Sequence, residues 1–230
     1  MNNSFGKICY KLTGSKRFMG MPYRFIYLNK QPFSKEPFYF LDIGCGNHSA
    51  TTTKKFFPDC KYYGLDFTRD YANDESDFKL MDGFYEINLE TSDLSEIPNG
   101  MFDYINLSHL IEHIRNHEIM LKRLVTKLKK GGVMYIEYPN FRSTRLPSMY
   151  QSLNFFDDST HVHIHSNRDL ANLLMKEDMQ IIKMGTRRSF FEIAFIPIRV
   201  LESILKGQRL RGGIFWSFFG FANYIISKKK

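Results

Sequence analysis

Three groups of residues in this sequence are spaced as chemistry would require. In "FLDIGCG" a short apolar run leads into Gly44 and Gly46, one residue apart, with Asp42 two residues before the first glycine. Glycine tolerates backbone angles and close approaches that a side chain forbids, so a strand ending in Gly44-Cys45-Gly46 suggests a ligand laid against bare main chain. Asp66 follows at the end of "YYGLDF", twenty residues past Gly46. There it is placed to accept hydrogen bonds from ribose hydroxyls. The third group is the histidines, which gather as His109, His113, His117 and as His161, His163, His165.

The glycine turn and its acidic partner suit NAD as well as S-adenosylmethionine, and two features separate them. A dinucleotide site wants G-x-G-x-x-G, and Ser49 stands where the third glycine belongs. Asp42 would oppose a pyrophosphate but would stabilise an amino group or a sulfonium. A cationic nucleoside cofactor is therefore preferred.

"HLIEH" matches H-x-x-E-H, the inverted zinc-protease signature, in which two histidines hold zinc and a glutamate works as base. The match is short and follows a predicted buried strand of an alternating fold, so the protease reading is set aside. "THVHIHS" alternates three histidines at period two, which in a strand puts them on one face, and Asp157 and Asp158 lie just before. A divalent metal that helps deprotonate a substrate hydroxyl is chemically reasonable there. Ordinary hydrogen-bonded or exposed histidines are the commoner outcome, and no metal is expected.

These residues need a scaffold. Residues 1–37 carry Pro22, Pro32 and Pro37 without sustained periodicity and read as an N-terminal leader or cap. From Phe38 onward, strands ("FYFLDI", "KYYGLDF", "FYEINL", "FDYINLS", "VMYIEY", "QIIKMGT") alternate with helices ("ATTTKKFF", then Asn116 to Lys130, then a helix capped by Ser166 or Asn167). Asn116 is the expected cap of the second helix and Gly131-Gly132 its stop. "VMYIEY" is read as fully apolar. The alternation predicts an α/β fold: a Rossmann-like, doubly wound, mostly parallel seven-stranded sheet with helices on both faces, spanning 38–230. Within it, 190–230 is expected to supply a helix packed on the sheet and a final edge strand near "NYIISKK". A membrane-surface helix is the competing reading of that apolar segment.

With the elements in place, the motifs "FLDIGCG", "YYGLDF", "EINL", "FDYINLSHLIEHI", "LKRLVTKLKKGG" and "VMYIEYPN" together resemble those of the class I S-adenosylmethionine-dependent methyltransferases, from about Phe38 to Arg188. The resemblance implies that Asp42, Gly44 and Gly46 face the methionine half of the cofactor and Asp66 its ribose. It places Phe67 and Leu89 at the adenine, and Ser108 with His109 along the cofactor's flank. Asn88 stands where the family often has an acidic residue that reads the adenine amino group, and its amide oxygen can still accept that bond. The family also often carries a histidine at the position of His161, in the loop that covers the acceptor.

Methyl transfer is an in-line displacement, and a hydroxyl acceptor must lose its proton. His113 and His161 are the candidate bases, and Glu112 orients a neighbour or caps a helix. Tyr138 and Asn140, at the end of the fifth strand, are candidate acceptor contacts.

The net charge of +8 invites a nucleic-acid or membrane partner. Its lysines and arginines concentrate on a helix face, in "KGQRLR" and at the C-terminus, which argues against a nucleic-acid footprint and leaves peripheral contact with a membrane's inner face through the basic, aromatic C-terminal region. Three unpaired cysteines, the absence of a signal-like start and the lack of a long apolar run fit the cytoplasm. The sequence thus reads as a methyltransferase acting on a hydroxyl of a small molecule, preferably a saccharide or lipid-linked saccharide. An RNA methyltransferase, or a non-catalytic nucleotide- or RNA-binding protein of the same fold, is the alternative.

Overall fold

A computed structural model of the chain describes residues 20–69 and 73–230. Residues 1–19 of the expected leader, Cys9 among them, and residues 70–72 of the acidic loop lie outside the described residues. The strands are β1 (Tyr39–Ile43), β2 (Lys61–Asp66), β3 (Gly83–Glu86), β4 (Phe102–Ser108), β5 (Leu128–Pro139), β6 (Met179–Thr186) and β7 (Ala222–Lys229). They form one sheet in the order β3-β2-β1-β4-β5-β7-β6. Strand order grows outward from β1 to β3 and then jumps to the other side of β1 with β4. The crevice at the carboxyl ends of β1 and β4 is the topological switch point where such sheets bind ligands.

Helices cover both faces, as the alternation predicts. On one face α1 (Tyr23–Leu28) and α2 (Ser49–Phe56) cover an aromatic core that contains Phe25, Phe40, Phe56, Phe57, Tyr62, Tyr104 and Tyr135. On the other, α3 (His117–Lys127) and α4 (Asn167–Lys176) bury Leu121, Leu124, Leu170 and Leu174 against Leu41, Ile105 and Ile136. The periodic apolar residues of α3 face the sheet, as expected. Its ends differ from the sequence reading. Asn116 makes no capping bond through its side chain; Glu90 reaches across and accepts the Arg115 N–H at 2.7 Å instead. The helix stops at Lys127, before the Gly131-Gly132 pair. There the Gly100 and Met101 N–H groups take the Thr126 and Lys127 carbonyls at 2.9 Å each, and Leu128 already pairs with Phe102.

The C-terminal segment corrects two expectations. β7 is not an edge strand: it lies between β5 and β6 and runs antiparallel to both, with Ile225 opposite Ile136 on one side and Met184 on the other. Tyr224, Ile225 and Ile226 are buried, and a strand apolar on both faces belongs in the interior. The half-exposed β6 takes the edge. Nor does the apolar segment before β7 pack on the sheet. It forms α5 (Phe190–Ala194) and α6 (Ile196–Leu205), neither with a buried residue. Pro197 sits in the first turn of α6, where a missing N–H costs no helical bond, so it separates two helices. Among the described residues no helix is long and apolar enough to cross a membrane.

α1 belongs to the core rather than lying loose upon it. Phe25 is fully buried and meets Phe40, Phe56 and Phe57 with ring centroids 6.2, 5.8 and 5.4 Å away. Phe25→Ala is expected to cost about 3–5 kcal/mol, the range for truncating a core phenylalanine. Urea unfolding measures this directly, and a loss under about 1 kcal/mol would show that α1 is dispensable.

Candidate active site

The glycine turn closes β1. Gly44 has φ +71°, a left-handed angle, and a Cβ there would stand 3.3 Å from the Leu110 side chain. The turn then carries Asn47 and His48 at φ 59° and 56°, a costly conformation for two consecutive non-glycine residues. Bonds from outside hold it. His48 Nδ1 meets Asp77 Oδ2 at 2.6 Å, and the Thr51 hydroxyl donates to Asp77 Oδ1 at 2.5 Å. Asp66 accepts the Gly46 N–H at 3.1 Å and the Phe67 N–H at 2.8 Å. Desolvation raises the Asp66 pKa, opposed by those two N–H bonds. The residue predicted to read the ribose therefore also pins the loop that approaches the ligand.

Asp42 lies beneath the turn, 1% exposed. Its carboxylate accepts from Ser49 Oγ at 2.5 Å, Tyr62 Oη at 2.7 Å and Asn106 Nδ2 at 2.6 Å. Ser108 donates to Asn106 at 3.0 Å and extends the chain to the end of β4. All of these donors are neutral, and among the described residues no cation pairs with Asp42.

A cavity of about 600 Å³ opens over this network, lined by Asp42, Gly44, Gly46, Ser108 and His109 together with Tyr23 and Arg24 of α1, Glu137, Arg187 and Arg199. His109, at φ 54°, sets its Nε2 3.0 Å from Glu137 Oε1 and its Nδ1 3.5 Å from Glu112 Oε1. Burial opposes a charge on this ring, but the two carboxylates overcome it and raise the pKa. Glu137 is held low against the cost of its burial by His109, Arg187 and the Tyr135 hydroxyl. Arg187 continues the chain to Glu192 at 2.7 Å. Charges of both signs thus line the cavity, a match for the zwitterionic end of an amino acid.

A second cavity, about 470 Å³, shares Gly44, His109 and Trp216 with the first and is lined by Asp66, Phe67, Glu112, His113, Asp158, Thr160 and His161. The His113 and His161 rings lie 4.7 Å apart, brought together because the Val162 and His163 N–H groups donate to the Glu112 carbonyl at 2.8 and 3.2 Å. The three alternating histidines do not share a face, since residues 161–166 form no strand. His163 and His165 turn away to meet His117, with centroids 4.9 and 4.6 Å away. Burial drives His165 down to about 4, with His117 adding to the effect.

The remaining expected contacts divide. Phe67 projects into the second cavity, 67% exposed, a face free to cover an adenine. Leu89 is a core residue, and the Asn88 side-chain oxygen accepts the Glu90 N–H at 2.9 Å; neither lines the two cavities. Tyr138 and Asn140, expected as acceptor contacts, do not face the two cavities. Both are buried and line neither cavity: the Tyr138 hydroxyl donates to Asn167 at 2.5 Å, and Asn140 ties the start of β7 by donating to the Gly220 carbonyl at 2.5 Å. Sequence reasoning missed Glu137, Arg187 and Trp216. For Glu137 the signal was one acidic residue in "VMYIEY", a strand read as wholly apolar.

Asp66→Ala removes both the ribose acceptor and the clamp on Gly46. Affinity for S-adenosylhomocysteine is expected to fall about thirtyfold, equivalent to about 2 kcal/mol for bonds to a charged group. Calorimetry reads this, and wild-type affinity in the variant, or tight binding of NAD by the parent, would contradict the assignment.

Comparison with known proteins agrees with this geometry. No curated protein shows significant sequence similarity to the chain. Among solved structures, a SAM-dependent methyltransferase from Archaeoglobus fulgidus superposes with TM-score 0.59 at 20% identity, covering 99% of this chain and 100% of that one. One from Mesorhizobium loti gives 0.59 at 12% identity over 88% and 95%. Phosphoethanolamine N-methyltransferase 2 from Haemonchus contortus, in complex with phosphomonomethylethanolamine and S-adenosylhomocysteine, gives 0.57 at 15% identity over 99% and 57%. These likenesses establish the shared fold. A family model described as a methyltransferase domain matches residues 22–183, a span that runs from α1 into β6 and contains every residue around the glycine turn and the His113–His161 pair. With the switch-point cavity, the pinned turn and the buried carboxylate beneath it, that match makes the chain a member of the class I methyltransferase family, an enzyme whose cofactor is S-adenosylmethionine.

Proposed function

We propose that this methyltransferase acts on a hydroxyl group of a saccharide, and specifically of a lipid-linked saccharide. The observation that carries the reading is the pair His113 and His161, which faces the second cavity alongside the residues expected at the ribose and adenine. A hydroxyl, unlike an amine, must shed a proton as it attacks, and imidazoles beside the cofactor suit that task. A cavity of about 470 Å³ with Phe67, Trp216 and Phe221 on its walls suits a sugar ring with its apolar faces covered. Asp42 beneath the first cavity would stabilise the cofactor's positive charge, and Arg187 and Arg24 its carboxylate.

The lipid part of the reading rests on α6. Ile198, Leu201, Ile204 and Leu205 are 41, 56, 63 and 78% exposed, and Phe190 before them is 87% exposed. Arg199 of the same helix lines the first cavity, so the apolar residues sit on an element that roofs the cofactor site. Arg209 and Arg211 follow, exposed and without acidic partners among the described residues. An apolar face flanked by arginines, on a chain of net charge +8, is complementary to an anionic membrane surface.

Purified protein with radiolabelled S-adenosylmethionine is expected to label a lipid-linked saccharide fraction with an alkali-stable methyl ether. His113→Ala and His161→Ala are expected to lower turnover about a hundredfold or more while S-adenosylhomocysteine affinity stays within about threefold. Exclusive labelling of RNA, with submicromolar RNA binding near physiological salt, would overturn the acceptor. Anionic vesicles should sediment the protein, and Leu201→Asp with Leu205→Asp should weaken that by at least about tenfold, since burying a leucine contributes up to about 2 kcal/mol. Equal sedimentation of the parent and the double variant would remove the membrane from the proposal.

A further inference from the structure

Glu112 is 1% exposed, yet neither of its carboxylate oxygens makes a hydrogen bond. Its nearest titratable neighbours stand at ion-pair range only: His109 Nδ1 at 3.5 Å, on the ring whose Nε2 meets Glu137, and His161 Nε2 at 4.0 Å. A buried carboxylate with no donor closer than 3.5 Å is costly, and native proteins rarely leave one so poorly served.

The His113 and His161 rings are oriented for something other than donating to it. His161 Nδ1 lies 2.6 Å from the Phe155 carbonyl, which only accepts, so Nδ1 carries the hydrogen and Nε2 of the neutral ring holds a lone pair. The Thr160 hydroxyl donates to Asp158 Oδ1 at 2.5 Å, so its oxygen accepts from His113 Nδ1 at 2.8 Å. In the neutral His113 ring Nε2 then holds a lone pair as well. Imidazoles that ligate a metal are held in this way, with the other ring nitrogen donating to a carbonyl or another acceptor. Donor atoms of Glu112, His113 and His161 lie within 4.8 Å of one another.

We propose that Glu112, His113 and His161 form a site for a divalent transition cation of the zinc class. Two imidazoles and one carboxylate select such an ion over magnesium or calcium, which prefer oxygen alone. Bond lengths of about 2.0–2.2 Å to nitrogen and oxygen require the three donors to close by roughly an ångström, within reach of side-chain rotation. Asp158, with Oδ2 4.0 Å from His161 Nε2, is the nearest further carboxylate.

The open side of this triad faces the second cavity beside Asp66 and Gly44. Resting on the hydroxyl-acceptor reading above, the ion's task is to take the acceptor oxygen as a ligand and acidify it. The O–H proton passes to water, the oxygen's electron pair forms the bond to the methyl carbon, and the S–C bond breaks with its pair to sulfur. The products are an ether and neutral S-adenosylhomocysteine. The two histidines then hold the ion instead of removing the proton themselves.

The test is zinc titration of the chelator-treated full-length protein, followed by calorimetry and elemental analysis, with no acceptor present. One zinc per chain at micromolar affinity or tighter is expected. Glu112→Gln and His161→Ala should each weaken it at least thirtyfold while retaining S-adenosylhomocysteine binding as the control for folding. His163→Ala, in the same segment but turned toward His117, should leave zinc binding at the wild-type level. Cobalt substitution should give the absorption of a low-coordinate nitrogen and oxygen site in the parent and lose it in Glu112→Gln. Failure of the parent to retain stoichiometric zinc, or unchanged affinity in both ligand variants, would overturn the site. Stoichiometric zinc without methyl transfer to any hydroxyl would leave the site standing and refute the acceptor reading. Hydroxyl methylation that survives chelation would leave that reading standing and refute the ion's task in the reaction.

Discussion

Asp42 places a carboxylate at the carboxyl end of β1, almost fully removed from water, where an anion without partners would cost several kcal/mol. The chain meets that cost with donors from three directions: Tyr62 on β2, Asn106 on β4 and Ser49 at the start of α2. Those bonds fix which strands flank β1 and where α2 begins, so the switch point and the site are made by one constraint. Because the donors are neutral, the charge itself is left for a cationic ligand in the cavity above.

The rest of the site extends the same economy of buried charge. His109, at the end of β4, is placed between Glu137 at the end of β5 and Glu112 in the turn that follows. Arg187, just past β6, closes the row against Glu137 and Glu192. Each group is tolerable only because the next is present, and together they tie three separate chain segments, 109–112, 137 and 187–192, around one crevice. The same turn holds Glu112 against His113 and the 161–165 loop, so the residues expected to handle the acceptor are positioned by the backbone that positions the cofactor's flank.

Much of this was legible in the sequence because it depends on local rules. Glycines after an apolar run, an acidic residue at the end of the second strand and a helix within residues 116–130 announce themselves by spacing, although the helix ends three residues sooner than its glycine stop suggests. Chain order alone suggests an edge place for β7, because insertion between β5 and β6 is a non-local choice; the apolar residues on both of its faces are the readable sign of an interior strand. The apolar content of α6 is visible in the sequence and suggests a place on the sheet; that Leu201, Ile204 and Leu205 stay exposed is not. Tyr138 and Asn140 stand at the end of a strand where acceptor contacts are expected, but their side chains turn inward to Asn167 and to the Gly220 carbonyl, a direction that position alone does not give. Glu137 shows the converse case. A single charge in an apolar run was read through, yet its burial is tolerable only with partners supplied by residues 28 and 50 positions away, His109 and Arg187.

The role of Asp42 can be isolated from its packing, because the hydroxyls of Ser49 and Tyr62 can turn to accept from an amide as readily as they donate to a carboxylate. Asp42→Asn therefore keeps the shape and most of the hydrogen bonding and removes the charge. The direct measurement is calorimetric affinity for S-adenosylmethionine in the parent and this variant, with thermal unfolding as the control. The expected result is a loss of at least about tenfold, or about 1.4 kcal/mol, with the unfolding temperature little changed. Equal affinity in the two proteins would contradict the claim that a buried, unneutralised carboxylate at the switch point holds the cationic cofactor.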